Sequence, residues 1–551
     1  MDFNHSKTIK DLVLGNGLAA SRDIAAGEPI VKISEPFLLV VEKDALEKVC
    51  SYCLIESDTS SLKRCTGCKV VRYCTPACQK ADWKLIHKNE CSLLQKLPGT
   101  PPTPVRALYQ ALLRYMRPTF ELDPRSAGLE HHSQDLRKDM KRWDEIVLQA
   151  KGALEFSKTP ADKMDTVTRL LCIVSFILAL LDTQLLRHFQ MATNAFRATL
   201  PDDTPIGLCY EPTLALANHS CKPNAFIMFD GRCISLMALD PIKSDEQIFI
   251  SYVDFTQTRD LRRAELRQRY FFECNCEKCT HDYSPYQTFQ KTTVIPSEKL
   301  DLLYDYKTLS AQAEARDNRI HSIQQELHSL RENISVAHSL IDLSKATASE
   351  SERFKFLKQA YTDLSFFKRH NLFALAPYPT VLDELYLTFI DASLLPSALI
   401  LLIFIFLNCD VYNWPQPNHP VRVTRLFTVA RLLKFAASLE SAALAQSLSF
   451  VPKEVLEGID FIDATQAVLI LVSELAPLSH GKGTRFVGQV EGELSEVEEV
   501  QKLRGGVGDL LMKWQSEGDT AGDGKKVARQ IFASLRTLAG FAFDVIENQS
   551  L

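Results

Sequence analysis

Apolar and polar positions change rhythm several times along the chain. Residues 10–45 predict short strands: "EPIVKI" and "PFLLVV" alternate or run apolar, punctuated by "GNGLAA", "AAGEP" and Pro36. "LPGTPPTP" (97–104) is a proline-rich break, and from about 105 to 199 the pattern is mostly helical, with an apolar stretch at 170–181. Strands return over 225–252. There "AFIMF" and "RCISLMAL" flank Asp230-Gly231 as a hairpin around a two-residue turn, and "EQIFISY" predicts another strand. "RDLRRAELRQRY" reads as a charged helix leading into a cysteine cluster. From about 290 onward the chain is helical: Leu357, Ala360, Tyr361 and Leu364 fall at i, i+3, i+4, i+7, as do Leu426, Val429, Ala430 and Leu433. Recurring helix pairs suggest a helical-repeat array without a clean period. Residues 481–508 and 516–526 read as glycine-rich, charged linkers.

A length of 551 residues predicts three or four domains, at roughly 150 residues each. Apolar residues make up 46%, enough for several cores, and the net charge of −5 carries no global polyanion-binding signal. The N-terminus lacks the apolar core of a signal peptide. The longest apolar run, "LLPSALILLIFIFL" (394–407), has 14 residues and contains Pro396, so it reads as a buried helix rather than a membrane span of roughly 18–20 residues. The 15 cysteines are clustered, with seven between 50 and 91 and three between 274 and 279. Tight CxxC-type pairs in a long chain favour zinc over disulfides and imply a reducing compartment. That weakens the glycosylation reading of Asn218-His219-Ser220.

The first cluster runs Cys50-x2-Cys53, Cys65-x2-Cys68, Cys74-x3-Cys78 and His87-x3-Cys91, eight candidate ligands that fit two tetrahedral zinc sites. So short a segment cannot build much of a core, and structural zinc supplies on the order of 10–16 kcal/mol per site in small peptides. Lys63, Arg64, Lys69, Arg72, Lys80, Lys84 and Lys88 stand against Asp82. They could form a nucleic-acid face, but compensation of the thiolate charge is the favoured reading.

Other residues are ambiguous taken singly. Gly15-Asn16-Gly17 suits close approach of backbone to a ligand, yet most such pairs are turns. Asn194, in "TNAF", reads as a capping or turn residue. Asn218 and His219 read as a buried pair or as cofactor contacts, and His219 beside Cys221 could be a base and its nucleophile. Tyr252 could be a strand-end aromatic and Phe272 a core residue. Cys274-x-Cys276-x2-Cys279 offers three thiolates where structural zinc wants four. Cys172, Cys209, Cys233 and Cys409 read as core residues.

Motifs in combination narrow this. "YCTPACQKADWKLIHKNEC" closely resembles the MYND zinc finger. The resemblance implies interleaved sites, Cys50, Cys53, Cys74 and Cys78 on one zinc and Cys65, Cys68, His87 and Cys91 on the other, and a module that often binds proline-rich peptides. "GNGLAASRDIAAGEPIVKISEP" before the finger, with "NHSCKPNA", "ISYVD" and "CNCEKC" after it, resembles the SET domain of the SMYD family of protein-lysine methyltransferases, in which a MYND finger interrupts SET. "WPQPNHPVRVTRLFTVARLLKF" (414–435) is similar to the start of that family's tetratricopeptide-like helical domain.

The resemblance implies an α+β multidomain chain: a SET β-fold interrupted by the finger, a cysteine-rich post-SET zinc site and an all-α tetratricopeptide-like C-terminal domain. Its implied boundaries are 1–48 for the first part of SET, 49–92 for the finger, 93–192 for a helical insert, 193–256 for core SET, 257–282 for the post-SET segment and 283–551 for the helical domain. It places Gly15, Asn16 and Gly17 at the methionine end of S-adenosylmethionine, makes Asn194, Asn218 and His219 cofactor contacts, and has Phe272 cover the adenine. Tyr252 matches the active-site tyrosine beside the transferred methyl, and Cys221 the fourth ligand of a third zinc. Three departures stand out: Leu14 where relatives often carry Arg or Lys, Ser244-Asp245 where a Gly is usual, and Glu211 where a Tyr is common. The implied function is S-adenosylmethionine-dependent methylation of lysine in histones or other proteins, by a monomer in the nucleus or cytoplasm, with no membrane and at most a weak nucleic-acid role. The alternative is a non-catalytic adaptor that recruits proline-rich partners in transcriptional regulation.

Overall fold

The computed structural model describes all residues except 1, 58–60, 98, 116–128, 130–131, 158–194, 202–203, 295–298 and 518–521. Asn194, Cys172 and the apolar stretch 170–181 lie outside the described residues. The chain divides into two compact units, Met1–Val253 with Asp260–Cys276, and Asp254–Arg259 with Glu277–Leu551.

The strands are β1 (Phe3–Asn4), β2 (Ser6–Asp11), β3 (Gly15–Ala20), β4 (Pro29–Ile33), β5 (Leu38–Val41), β6 (Lys63–Arg64), β7 (Arg72–Tyr73), β8 (Ala195–Thr199), β9 (Pro205–Tyr210), β10 (Asn218–His219), β11 (Ala225–Asp230), β12 (Cys233–Ala238) and β13 (Gln247–Ile250). They form sheets in the orders β1-β4-β12-β11, β10-β13-β3-β2, β5-β9-β8 and β6-β7. Every sheet but the small β6-β7 ribbon joins strands from before and after the cysteine-rich block. The block is therefore an insertion into one β-fold.

The hairpin turn falls one residue later than the sequence predicts. Asp230 pairs with Cys233, so the turn residues are Gly231 and Arg232. Gly231 takes φ +59, in the left-handed region that glycine enters without a Cβ penalty. This register keeps Ile234 and Leu236 fully buried. Slipping it by one residue would turn both toward solvent.

Helices fill the second unit. Leu357, Ala360 and Tyr361 lie buried on Glu350–Asp363, and Leu426, Val429, Ala430 and Leu433 lie buried on Pro420–Ser438. Residues 481–508 are not a linker: Arg485–Arg504 is one helix that buries Phe486, Val487, Val490, Leu494, Val497 and Gln501. The i, i+4, i+8 stripe outweighs the helix-weakening glycines 488 and 492, which face open space. Helices at Val507–Glu517 and Gly522–Ala539 likewise take up most of the second supposed linker.

The apolar run forms the helix Leu395–Ile405 and continues helically to Asn413. Leu395–Asn413 and Phe461–His480 are both long and apolar enough to cross a bilayer by length and composition. They are 83% and 61% buried inside the protein, as core helices are. The second was not evident as an apolar run, because polar residues such as Thr465 and Gln466 interrupt it while staying buried.

Candidate functional site

Strand β13 brings together three motifs that are far apart in sequence. It pairs in parallel with β10, aligning Asn218 with Phe249 and His219 with Ile250. On its other edge it pairs with β3, aligning Gln247 with Ala19 and Ile248 with Leu18. The glycine loop, the Asn-His pair and the strand leading into Tyr252 thus share one short sheet.

Gly15 and Asn16 are exposed where β3 begins, and Gly15 takes φ +77 with open space around it. Gly17 is the reverse case. A Cβ there would meet Gln247 Nε2 at 2.5 Å and Asn218 Nδ2 at 2.7 Å. The Asn218 amide donates to the Asn16 carbonyl at 3.2 Å, which closes the loop onto β10. Gln247 Nε2 is buried without a hydrogen-bond partner, an unspent donor at the base of the same loop.

The His219 ring is committed to protein partners. Its Nδ1 accepts from the Tyr252 backbone N–H at 3.0 Å, and its Nε2 lies 3.2 Å from Cys221 Sγ. Both ring nitrogens of His219 thus face protein partners. Tyr252 donates its hydroxyl to the Ala217 carbonyl at 2.7 Å. Burial, with Tyr270 adjacent, pushes the Tyr252 phenol well above its ordinary pKa, so it stays protonated.

Tyr270 lies 4.8 Å from Tyr252 between ring centroids, and Phe272 stands 6.5 Å from Tyr252 in an edge-on arrangement and 6.0 Å from His219. Phe271, with φ +59, ends the helix Arg259–Tyr270 and turns the chain so that Phe272 faces this group.

Two residues at the site escaped the sequence reading. Asn224 staples the NHSC loop to β13, donating to the Gln247 carbonyl at 2.9 Å and accepting from the Phe249 N–H at 2.8 Å. Tyr270 completes the aromatic group. The second Asn of "NHSCKPNA" was the available signal for the first; nothing local marked the second.

Potential ligand atoms gather in three sets, each within 4.8 Å of one another: Cys50, Cys53, Cys74 and Cys78; Cys65, Cys68, His87 and Cys91; and Cys221, Cys274, Cys276 and Cys279. Each offers four donors of the type and number that a structural zinc takes, so the three sets fit three zinc ions. Cys209 and Cys409 are buried outside these sets, and Cys233 is half-buried. In the second set His87 Nε2 faces Cys65 and Cys68 at 3.3 and 3.6 Å, and its Nδ1 points to Glu90 at 3.5 Å. Glu90 is buried, yet Arg106 and Gln110 hold its carboxyl down to about 2, against the desolvation that would raise it.

The departures from the expected motifs have local explanations. Glu211 is buried and caps the short helix after it, accepting from Thr213 N at 3.2 Å and from Phe37 N at 3.1 Å. Asp245 takes φ +70 in the turn and pairs with Lys7. Leu14 is 45% exposed at the hairpin tip, beside the glycine loop.

Comparison with known proteins agrees with this geometry. The SET domain family matches residues 15–253. The SET domain and MYND-type zinc finger protein 6 of Schizosaccharomyces pombe is 30% identical over 50% of this chain and 52% of its own length. Histone-lysine N-methyltransferase SMYD3 of Mus musculus is 30% identical over 48% of this chain and 59% of its own. ASHR1, a histone-lysine N-methyltransferase of Arabidopsis thaliana, is 27% identical over 49% and 54%. The chain thus spans between half and three fifths of the length of these three relatives. Among solved structures, Rubisco LSMT bound to AdoMet aligns over 93% of the chain at 12% identity, but with a TM-score of 0.27, too low for a shared fold to follow. Residues 15–253 thus match the SET domain family, two zinc-finger-type ligand sets lie within that span, and about half of the chain is similar to SET-and-MYND proteins.

Proposed function

We propose that this protein is an S-adenosylmethionine-dependent protein-lysine N-methyltransferase. The observation that carries the reading is the convergence on β13 of the Gly15–Gly17 loop, the Asn218-His219 pair and Tyr252 within a matched SET domain. The cofactor would lie along Gly15, Asn16 and Gly17, against Asn218 and His219, with Phe272 beside it. Gln247 Nε2 supplies an unspent buried donor there. Asn194, outside the described residues, belongs to the proposal on its motif alone.

The cofactor supplies a methyl group on a sulfonium, a good leaving group. An in-line displacement needs only that the nucleophile be neutral and aligned. The substrate amine starts near pKa 10.4 in water and is pushed down by desolvation next to a cation. With the bound cofactor supplying the methyl group, Tyr252 would hold the neutral amine's lone pair in line with it, and the methylated amine would return a proton to water. Tyr252 cannot serve as the base, because its phenol is held protonated. Its role is to orient, and Tyr270 and Phe272 form apolar walls that keep water from competing.

Two of the relatives above, SMYD3 of Mus musculus and ASHR1 of Arabidopsis thaliana, are named histone-lysine N-methyltransferases, which supports histone lysines as one substrate class, with other proteins equally open to test. Incubation of the zinc-loaded protein with labelled S-adenosylmethionine, histones and cell extract, read by mass spectrometry, tests the activity; absence of any transfer would remove it. The finger offers a partner surface through Trp83, 42% exposed, flanked by exposed Lys80, Lys84 and Lys88. A proline-rich peptide suits the aromatic and a nucleic-acid backbone suits the lysines. An adaptor that binds peptides without methyl transfer is the second reading. A monomer acting in the nucleus or cytoplasm completes the proposal.

A further inference from the structure

The two nitrogens of His219 face different parts of the site, and the hydrogen inventory fixes which is which. A backbone N–H can only donate, so Nδ1, 3.0 Å from Tyr252 N, must be the acceptor. A neutral imidazole then carries its hydrogen on Nε2, which lies 3.2 Å from Cys221 Sγ and donates to it. Cys221 belongs to the third zinc-ligand set. His219 is 7% exposed and its ring sits 5.3 Å from the Tyr252 ring, so it has little room to turn. Asn218, one residue earlier, donates to the Asn16 carbonyl of the glycine loop.

We infer that His219 is a positioning residue that ties the third zinc site to Tyr252: one nitrogen donates to a zinc thiolate and the other anchors the backbone of the tyrosine that orients the substrate amine. The inference rests on the methyltransferase reading for its catalytic consequence, though not for its geometry. Donors to a metal's ligands fix the ligand's direction and lower its reactivity, so loss of the Nε2 bond loosens the metal. Loss of the Nδ1 bond frees the Tyr252 backbone, and with it the angle of the phenol.

Two amides separate the two bonds. In His219→Asn the side-chain oxygen can occupy the Nδ1 position and nothing reaches Cys221. In His219→Gln the terminal amide can reach the Nε2 position and the Nδ1 acceptor is lost. His219→Phe removes both. The experiment uses the full zinc-loaded chain and measures zinc release to a chromogenic chelator, deuterium uptake at the Tyr252 amide, and kcat and KM.

The expected pattern is crossed. His219→Asn releases the third zinc about tenfold faster with Tyr252 exchange near that of the parent, and His219→Gln does the reverse. His219→Phe shows both changes, with kcat down about tenfold or more and the cofactor KM within about twofold. If Asn and Gln behave alike in both release and exchange, or if Phe leaves both unchanged, the tie does not exist. If the parent protein transfers no methyl group, the catalytic reading fails while release and exchange still decide the tie.

Discussion

Asn218 and Asn16, 202 positions apart in sequence, are joined by a 3.2 Å hydrogen bond from the Asn218 amide to the Asn16 carbonyl. That bond passes beside Gly17, where a Cβ would lie 2.7 Å from Asn218 Nδ2 and 2.5 Å from Gln247 Nε2. Gly17→Ala should therefore push both amides aside and open the loop. The expected result is cofactor affinity weaker by about tenfold or more, with overpacking costing on the order of 1–3 kcal/mol of stability. Gly488→Ala, in open space on the helix Arg485–Arg504 and outside the glycine loop, is the control and should leave cofactor affinity unchanged. Titration calorimetry with S-adenosylmethionine and thermal unfolding would separate the two.

The metal content should be three zinc ions per chain, one for each ligand set. Cys276→Ser should lower it to two and leave the finger's pair in place. Atomic emission on the purified protein checks both numbers, and prolonged chelation should unfold the finger, whose core is too small to stand without metal.

Glu90 links the finger to the fold that surrounds it. It faces His87 at 3.5 Å and accepts from Arg106 at 2.9 Å, while Arg106 also donates to the Val41 carbonyl of β5 at 3.4 Å. Glu90→Gln leaves a buried cation without its partner, at a cost of about 3 kcal/mol. Unfolding midpoints and faster zinc loss from the second site would register it.

The helical unit should lose stability in mild acid. His419 is buried as the N-cap of Pro420–Ser438, accepting from Val421 N at 3.3 Å. Burial, with the Arg422 cation beside it, pushes its imidazole down to about 3. The unfolded chain takes up a proton as pH falls through about 6.5, while the folded one does not until about 3, so the unfolded state is favoured over that window. The contribution is fully present above pH 6.5 and falls by about 2 kcal/mol between pH 7 and pH 5. Denaturant titrations at the two pH values, repeated on His419→Asn, should show a shallower slope in the variant.

Chemistry proved more legible in the sequence than architecture. The zinc ligands repeat at short, characteristic intervals, and the three sets assemble with the pairing that the motifs imply. Tight local spacing does that work, because a CxxC knuckle presents two thiolates whatever surrounds it. Arg485–Arg504 was misread because glycines and charges outnumber its buried stripe, and only tertiary packing shows which face matters. His219 was read as a cofactor contact, and its ring nitrogens also face Cys221 and Tyr252. No residue pattern could give that, since it depends on the parallel pairing of β10 with β13. Asn224 and Glu90 were passed over for a related reason: their partners are 20 or more positions away in β13 or 16 away at Arg106.

The central claim is that Tyr252 orients a lysine amine for methyl transfer from a cofactor bound at the glycine loop. Its most direct measurement pairs S-adenosylmethionine binding with methyl transfer in the parent and in Tyr252→Phe, on the same histone and extract substrates. The account predicts cofactor binding within about threefold in both proteins and transfer reduced about a hundredfold in the variant, the loss of about 2.7 kcal/mol of transition-state stabilisation. No binding by the parent, or equal transfer by parent and variant, would contradict it.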